Sequence, residues 1–331
     1  MTDTPTASTP FVRADVRGFL DYLNAAPGPK THEMEVAAAR QMFTMMGSVA
    51  EVPIGALATM VDLAIPGPMG DIPARLFDVR DTRPPGPALA FYHGGGFVIG
   101  DIATHASLCA EMSRVLDLPV VSIDYRLAPE HGWPAAPDDC EAAARWIAGS
   151  PAALGRRVTS LVVAGDSAGG NLAIVVAMSL RDAPAAVPVI VQAPLYPAAD
   201  MSREFPSYSE FADGYLLTRD TMEWFSDAYA ADLEHARSSP LKGDLRGMPA
   251  AVVVTASLDP IRDQGRAYAA ALIEAGVATI FREANGNIHG FATIRQAIPS
   301  SQGDLAGYLA AVKAMIAETE GERVMAQAAG A

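Results

Sequence analysis

Short apolar runs without polar alternation constrain this chain more than any other feature of its sequence. They lie at 88–93, 118–124, 160–164, 188–193, 250–256 and 278–283. Helical stretches separate most of them, near 104–116, 137–149, 168–182, 261–275 and 303–319. A strand that is apolar on both faces must be covered on both faces, as in a parallel sheet between helices. The sequence therefore predicts a doubly wound α/β fold with a mostly parallel central sheet.

The segments outside this rhythm predict a helical cap. Residues 11–46 form two helical patterns, 57–65 and 72–79 are typical of strands, and 200–236 is an aromatic-rich insertion. The N-terminal helices and the insertion would cover the carboxyl edge of the sheet, although the aromatics could instead pack the insertion's own core. The predicted division is 1–50 for N-terminal cap helices (with a loose tail at 1–9), 51–199 for the first part of the α/β domain, 200–236 for inserted cap helices and 237–331 for the second part.

Composition excludes several classes of partner. The 331 residues carry a formal net charge of −14, and 50% of them are hydrophobic. Nucleic acids and anionic membranes attract clustered Lys and Arg, so we expect neither as a partner. No apolar run approaches the roughly 20 residues of a membrane helix, and the first residues lack a secretory pattern. Two cysteines without a C-x-x-C spacing, Cys109 and Cys140, favour free thiols over a disulfide and a cytoplasmic location.

The pentapeptide Gly165-Asp-Ser-Ala-Gly169 is the strongest chemical signal in the chain. An apolar run precedes it as a predicted strand, and a helical stretch follows it. In this setting the turn is tight, its serine takes a strained backbone conformation, and the hydroxyl projects from the sheet. The N-terminus of the following helix favours developing negative charge. The pattern therefore predicts Ser167 as a nucleophile, in preference to a purely structural serine in a Gly-rich turn.

A second glycine-rich loop, His93-Gly-Gly-Gly-Phe97, directly follows the first of the apolar runs. Glycines let backbone N–H groups approach an oxygen that becomes charged in a tetrahedral intermediate. We expect these donors to be the N–H groups of Gly94 and Gly95, with that of Ala168 as a third. The alternative is a phosphate-binding loop, but no Lys-Ser/Thr pair follows and the glycine spacing differs. The His93 side chain is expected to hold the loop rather than to react.

The chain order serine, acid, histidine that accompanies this kind of turn limits the base to histidines after Ser167. His235 lies in a polar helical stretch of the insertion, whereas His289 lies after the last predicted strand, where a loop can reach the serine. The acid is expected directly after the penultimate strand, at Asp259. Asp263, one helical turn further on, is better explained as a partner of neighbouring arginines. We therefore predict that His289 accepts the serine proton while Asp259 holds the imidazole and stabilises its charged form.

Together these motifs resemble those of the bacterial hormone-sensitive-lipase-like esterases, over about residues 85–295. The matching segments are His93-Gly-Gly-Gly-Phe97, Asp124-Tyr-Arg-Leu-Ala-Pro-Glu130, Trp133-Pro-Ala135, Gly165-Asp-Ser-Ala-Gly-Gly-Asn171, Leu258-Asp-Pro-Ile-Arg-Asp263 and His289-Gly-Phe291. The resemblance implies an α/β-hydrolase fold with a helical cap. It also implies hydrolysis of short- to medium-chain acyl esters through an acyl-enzyme, with no metal or other cofactor. The polar triplet at 285–287 departs from the family pattern and could alter how firmly the His289 loop is held.

Substrate contacts are expected from residues beside the motifs and in the insertion. These residues are Phe97, Asp166, Tyr215 and Leu216. Four methionines at helical spacing could line an adaptable acyl pocket or could equally form ordinary cap core. They are Met34, Met42, Met45 and Met46. The family analogy also suggests a homodimer through the edge strand near 278–284.

Two alternatives concern the function itself. A non-catalytic ligand-binding relative of the same fold is one of them, but such proteins usually lose the base, and His289 is present with its Gly-Phe context. The other is a different hydrolase, since amidases and lactone or carbamate hydrolases use the same machinery. No residue in the sequence separates these from an esterase that acts on a small-molecule ester.

Overall fold

A single mixed sheet organises residues 10–329, which the computed structural model describes. The predicted tail at 1–9 lies outside the described residues. The strands are β1 Thr59–Gly67, β2 Gly70–Asp78, β3 Gly86–Tyr92, β4 Val120–Ile123, β5 Val158–Asp166, β6 Val189–Leu195, β7 Ala250–Leu258 and β8 Thr279–Ile288. Their order in the sheet is β1-β2-β4-β3-β5-β6-β7-β8. Strand β2 is antiparallel to β1 and β4, and all the pairs from β4 to β8 are parallel.

Helices cover both faces of this sheet. They are α1 Ala14–Ala25, α2 Val36–Ala50, α3 Ala106–Leu116, α4 Ala135–Ala148, α5 Ala168–Asp182, α6 Pro206–Glu210, α7 Arg219–Tyr229, α8 Arg262–Glu274 and α9 Ser301–Ala329. Helices α3 and α9 pack on one face, and α4, α5 and α8 pack on the other. The predicted α/β fold with a mostly parallel sheet is confirmed.

Strand β3 shows why the strands lack polar alternation. Ala88, Ala90 and Tyr92 belong to the core on one face of the sheet, whereas Leu89 and Phe91 belong to the core on the other face. Every one of these side chains is buried. Burying a Leu or Phe side chain contributes about 1.5–3 kcal/mol to the stability of the fold. A polar residue at any of these positions would therefore destabilise the fold, whichever face of the sheet it lay on.

The parallel strands place the predicted triad at one edge of the sheet. Strands β5, β7 and β8 each end one residue before a triad candidate, namely Ser167, Asp259 and His289 respectively. Strand β6 lies between β5 and β7, and β8 lies next to β7. Because the carboxyl ends of parallel strands meet at the same edge, three residues far apart in the chain come together there.

Strand β8 is longer than predicted. The sequence places its end near 283, but the strand continues through Ile288 and includes the polar triplet 285–287. The backbone of Gly286 has φ +76°, and its N–H donates to the Ser257 hydroxyl oxygen at 2.7 Å, beside an irregularity in the β7–β8 register. The predicted end was wrong because Gly286 and Asn287 are buried and find their hydrogen-bond partners inside the protein.

A separate apolar cluster joins the N-terminal helices and the insertion to the strand ends. It contains Val16 and Leu20 of α1, Phe211 from the insertion, and Leu258 and Ile288 at the ends of β7 and β8. These segments therefore pack against the edge of the sheet that carries the triad candidates, where a cap would lie. The predicted domain boundaries themselves stay a prediction.

Candidate active site

The turn at Ser167 forces the serine out of the sheet edge. Ser167 joins β5 to α5 with φ 56° and ψ −117°, a backbone conformation that L-residues rarely adopt. A Cβ atom at Gly165 would collide with the carbonyl of Gly169, and one at Gly169 would collide with the carbonyl of Tyr92. Only glycine permits this close approach, so the sequence pattern and the strained geometry have the same cause.

The three triad candidates form one hydrogen-bonded chain. The Ser167 Oγ lies 2.8 Å from His289 Nε2, and His289 Nδ1 lies 2.8 Å from Asp259 Oδ2. The other Asp259 oxygen, Oδ1, accepts the N–H of Ile261 at 2.8 Å. Asp259 is fully buried and His289 is 7% exposed. With Nδ1–H donating to the carboxylate, Nε2 is left as the acceptor for the serine proton.

The alternative acid and base lie in other interactions. The Asp263 carboxylate pairs with Arg262 at 2.8 Å and Arg266 at 3.2 Å, and it also accepts the N–H of Ser207. Burial raises the pKa of Asp263, but Arg262 and its other partners lower it further than burial raises it. His235 lies on the exposed insertion, where its Nδ1 accepts the N–H of Arg237. The structure therefore brings Asp259 and His289 to Ser167. It holds Asp263 and His235 in other interactions.

The glycine-rich loop differs from the prediction at one donor. The Gly94 N–H donates to Asp166 Oδ1 at 2.8 Å. Within the described residues, the N–H groups of Gly95 and Gly96 donate no hydrogen bond. Ala168 is the first residue of α5, so its N–H has no partner within the helix. Gly95, Gly96 and Ala168 therefore offer free donors, and the assignment of Gly94 is corrected because its N–H is already engaged.

His93 supports this loop from behind. Its Nδ1–H donates to the carbonyl of Gly94 at 2.8 Å, and its ring stacks on Tyr125 at 4.3 Å. The Tyr125 hydroxyl donates to the carbonyl of His93 at 2.7 Å. Burial, followed by the neighbouring His105, lowers the pKa of His93 to about 4, so the imidazole is neutral at neutral pH. The structure places His93 in the supporting position that the sequence predicts.

A cavity of 460 Å³ opens above Ser167 and Ala168. Its lining is mainly apolar and includes Phe97 and Met201 together with cap side chains. The cap contributes Tyr208, Leu217, Met222, Phe225, Tyr229 and Leu233. Phe97 stacks face to face on Tyr229, with ring centroids 3.9 Å apart. The cavity can therefore hold a small apolar molecule with its polar centre at the serine.

Three of the four predicted substrate contacts lie outside this lining. Phe97 lines the cavity, but Asp166 is only 3% exposed and lies behind the glycine-rich loop. Tyr215 packs edge-on against Phe211, and Leu216 packs in the same cap cluster, close to the loop after β8. The prediction for Asp166, Tyr215 and Leu216 rests on their neighbours in sequence, which do not determine where a side chain points.

The methionines predicted as either pocket or cap core do not line the cavity. Met34 and Met46 pack against core clusters, whereas Met42 and Met45 are exposed. The aromatics of the insertion provide the lining that the methionines do not. Phe225 and Tyr229 are four residues apart on α7 and face the cavity. Their helical spacing is visible in the sequence, but it is equally typical of packing within the insertion.

The described part of the chain brings together no group of three His, Cys, Asp or Glu residues that could hold a metal ion. Cys109 and Cys140 are buried and free. Between residues 10 and 329, no helix has both the length and the apolar character needed to cross a membrane.

A strained serine between a strand and a helix, hydrogen-bonded to a His–Asp pair beside free backbone N–H groups, defines a serine hydrolase. The chain belongs to the α/β-hydrolase fold family, whose model matches residues 89–293. This match and the relatives below confirm the predicted hormone-sensitive-lipase-like family and the predicted class of enzyme, a carboxylic ester hydrolase.

Three similar proteins illustrate the match. Carboxylic ester hydrolase LipN of Mycobacterium tuberculosis is 41% identical over 251 residues, which cover 72% of this chain and 65% of LipN. Esterase LipI of the same organism is 34% identical over 289 residues, covering 85% of this chain and 89% of LipI. The structure of ester-hydrolase EH1AB1 from the Lake Arreo metagenome, in complex with a bipyridine phosphonate derivative, is 38% identical. It has a TM-score of 0.87 and covers 92% of this chain and 98% of that one.

Proposed function

We propose that this enzyme hydrolyses small-molecule carboxylic esters with short to medium acyl chains, using Ser167 as nucleophile, His289 as base and Asp259 as the orienting acid. The observation that carries the proposal is the continuous hydrogen-bonded chain from the Ser167 hydroxyl to the buried Asp259 carboxylate. Ser167 itself lines a cavity that is mainly apolar, so an ester carbonyl can be held against the serine.

In the first half of the proposed reaction, the Ser167 oxygen bonds to the ester carbonyl carbon while its proton moves to His289 Nε2. The carbonyl π electrons move to the oxygen, which becomes an oxyanion held by the N–H groups of Gly95, Gly96 and Ala168. The Asp259 carboxylate stays ionised and stabilises the imidazolium. The tetrahedral intermediate then collapses, the bond to the alcohol oxygen breaks, and the alcohol leaves with the proton from His289.

In the second half, water replaces the alcohol. His289 accepts a proton from a water molecule while the oxygen of that water bonds to the acyl carbon. The same three N–H groups hold the new oxyanion. Collapse breaks the bond to Ser167, whose oxygen regains the proton from His289. The products are one alcohol and one carboxylic acid, and the enzyme returns to its starting state without any cofactor.

The cavity supports the proposed size of the acyl group. Its volume of 460 Å³ lies towards the lower end of the range for small-molecule pockets, which is about 300–1,000 Å³. Phe225 packs directly over Gly96, and the stacked pair Phe97 and Tyr229 closes another part of the wall. A long acyl chain would therefore have to displace aromatic side chains, whereas a short one fits the space between them.

A panel of p-nitrophenyl esters with acyl chains from C2 to C16 tests the proposal, together with matched amides. We expect the largest kcat/KM at short to medium chains, and loss of nearly all turnover in Ser167→Ala, by about 10⁶-fold. Ser202→Ala is the matched control, because Ser202 also lines the cavity but lies outside the triad. A maximum at C12–C16 would contradict the chain-length preference, and undiminished turnover by Ser167→Ala would contradict the mechanism.

Two finer predictions remain proposals. We propose a homodimer through strand β8, which is an edge of the sheet and carries Phe281 at 39% exposure. An unpaired strand edge is a template for pairing with a second copy. Sedimentation should then give a dimer that Phe281→Asp converts to a monomer, and a monomeric wild-type protein would contradict it.

A cytoplasmic location is supported by the two free buried thiols, and fractionation of the producing cells would test it.

A further inference from the structure

A second buried His–Asp pair lies directly behind the glycine-rich loop. His105 Nε2 is 3.2 Å from Asp166 Oδ1, and both side chains are almost completely buried. Neither residue lines the cavity. The sequence motifs explain Asp166 only as the neighbour of Ser167, and they assign no role to His105. The proposed mechanism uses neither side chain directly.

Asp166, the acid of this pair, also binds the glycine-rich loop. Its Oδ1 accepts the Gly94 N–H at 2.8 Å, and its Oδ2 accepts the Tyr196 hydroxyl at 3.5 Å. The Gly94 N–H is also 3.3 Å from His105 Nε2, but the shorter and charge-assisted bond to the carboxylate is the stronger one. A Cβ at Gly94 would collide with the Asp166 backbone and side chain, so the loop rests directly on this carboxylate.

The hydrogen-bond partners around His105 favour a proton on each ring nitrogen. The Thr104 hydroxyl has one proton and lies 2.8 Å from the Asp101 carbonyl oxygen, which can only accept. The arrangement that satisfies both the carbonyl and the ring gives this proton to Asp101, and the hydroxyl then accepts from His105 Nδ1–H, 2.9 Å away. On the other side of the ring, the Asp166 carboxylate already accepts from Gly94 and requires a proton on Nε2. Both ring nitrogens are then protonated, and the ring carries a positive charge.

This charge offsets the Asp166 carboxylate. Burial raises the pKa of Asp166, but the charge and hydrogen bond of His105, with the Gly94 N–H, lower it further than burial raises it. An uncompensated carboxylate one residue from Ser167 would oppose the negative charge that develops on the oxyanion. A neighbouring imidazolium removes most of that opposition while leaving the carboxylate able to hold Gly94.

We propose that His105 and Asp166 form an ion pair that positions the oxyanion loop: it fixes Gly94 so that the N–H groups of Gly95 and Gly96 face the oxyanion, and it neutralises the carboxylate beneath them. Both are positioning residues, since they act through the loop and do not touch the substrate. The inference rests on the proposed function, because it concerns the oxyanion of that reaction. It predicts that the pair contributes to binding of the transition state and not of the substrate.

Steady-state kinetics of His105→Leu and His105→Gln test the pair, with affinity for an aryl trifluoromethyl ketone as a second readout. Ser167 adds to such a ketone and creates an oxyanion in the same position. For His105→Leu we expect kcat to fall about 10²-fold with little change in KM, and the ketone to bind about 10²-fold more weakly. Gln keeps an N–H group near Asp166, so His105→Gln should recover part of both losses.

The matched control is His235→Asn, which removes an exposed histidine from the insertion and should leave kcat, KM and ketone affinity unchanged. Asp166→Asn provides a second test if His105→Leu does not fold, and it should lower kcat and ketone affinity together. Folded variants with wild-type kcat and ketone affinity would overturn the ion-pair proposal alone. If the wild-type enzyme hydrolyses no ester, the proposed function fails, and the proposal that rests on it fails with it.

Discussion

At the scale of single residues, backbone strain and proton position together prepare the proposed nucleophile. Ser167 has a positive φ because Gly165 and Gly169 let strand and helix touch, and this aims its Oγ at His289 Nε2. Asp259 then keeps the ring in the tautomer that can accept a proton. The strain at one residue is thus maintained by the packing of the sheet and helix around it.

Asp259→Asn tests the tautomer argument. The amide oxygen of the substituted side chain would continue to accept the Ile261 N–H, so its NH₂ group would face His289 Nδ1. That arrangement puts the imidazole proton on Nε2, facing Ser167, where it cannot accept the serine proton. We expect kcat for p-nitrophenyl acetate to fall about 10⁴-fold at neutral pH with the fold intact.

Asp263→Asn is the control for this substitution, because it removes the neighbouring carboxylate that pairs with Arg262 and Arg266. Its activity should stay close to that of the wild type. If both variants lost activity equally, the assignment of Asp259 as the orienting acid would be wrong.

At the scale of elements, the polar triplet before His289 ties β8 to the N-terminal helix and to α9. Asn287 is buried and donates to Ser301 at 3.0 Å and to Asp304 at 2.8 Å. The Asp304 carboxylate also binds Arg13, at the start of α1, through two hydrogen bonds of 2.6 and 2.9 Å. Arg13 in turn donates to the carbonyl of Asn285 at 2.8 Å. The segment 285–287 thus forms, with Asp304, a docking site for the start of the N-terminal helix next to His289.

Arg13→Ala should loosen this dock. It removes the bidentate partner of Asp304 and the donor to Asn285, and hydrogen bonds to charged groups contribute about 1.5–3 kcal/mol each, less where water reaches them. We expect a loss of roughly 1–3 kcal/mol in the free energy of unfolding, measured by urea denaturation. Arg17→Ala, which removes an exposed arginine from the same helix, should cost much less. Equal effects of the two changes would exclude a specific dock.

At the scale of the whole molecule, a buried charge cluster makes stability depend on acid pH. The Asp78 carboxylate is fully buried and pairs with Arg83 at 2.7 Å and Arg156 at 2.9 Å. Burial raises the pKa of Asp78, but Arg83, the Arg80 N–H and Arg156 together lower it below its ordinary value of 3.8. The carboxylate therefore stabilises the fold at pH values above about 3.8, and this contribution is lost as the pH falls through the lowered pKa.

Asp78→Asn tests the cluster by thermal unfolding between about pH 7 and pH 3. At neutral pH the variant should be less stable by about 3–5 kcal/mol, because the largely buried Arg156 loses its carboxylate partner and Arg83 keeps only Asp117. The difference from the wild type should shrink as acid protonates Asp78 in the wild-type protein. Asp62→Asn is the control, since Asp62 forms an exposed pair with Arg75. A difference that stayed constant down to the lowest pH would contradict the argument.

Most of the fold, and the meeting of the three residues of the proposed triad, could be predicted because their signals are local in sequence. The strands show as apolar runs, and Ser167, Asp259 and His289 each directly follow one strand. The direction of a single N–H group is not local, so the sequence predicts Gly94 as a free donor although Asp166 engages it. Likewise His105 meets Asp166 only after the chain has folded, and no spacing in the sequence indicates that pairing.

The most direct measurement of the central claim is the site of reaction with a fluorophosphonate, which phosphonylates an activated serine. Mass spectrometry of the intact protein should show one adduct per chain, and peptide mapping should place it on Ser167. Ser167→Ala should show none, and His289→Ala should react far more slowly because the serine has lost its base. An adduct on another residue, or equal labelling of wild type and His289→Ala, would contradict the account.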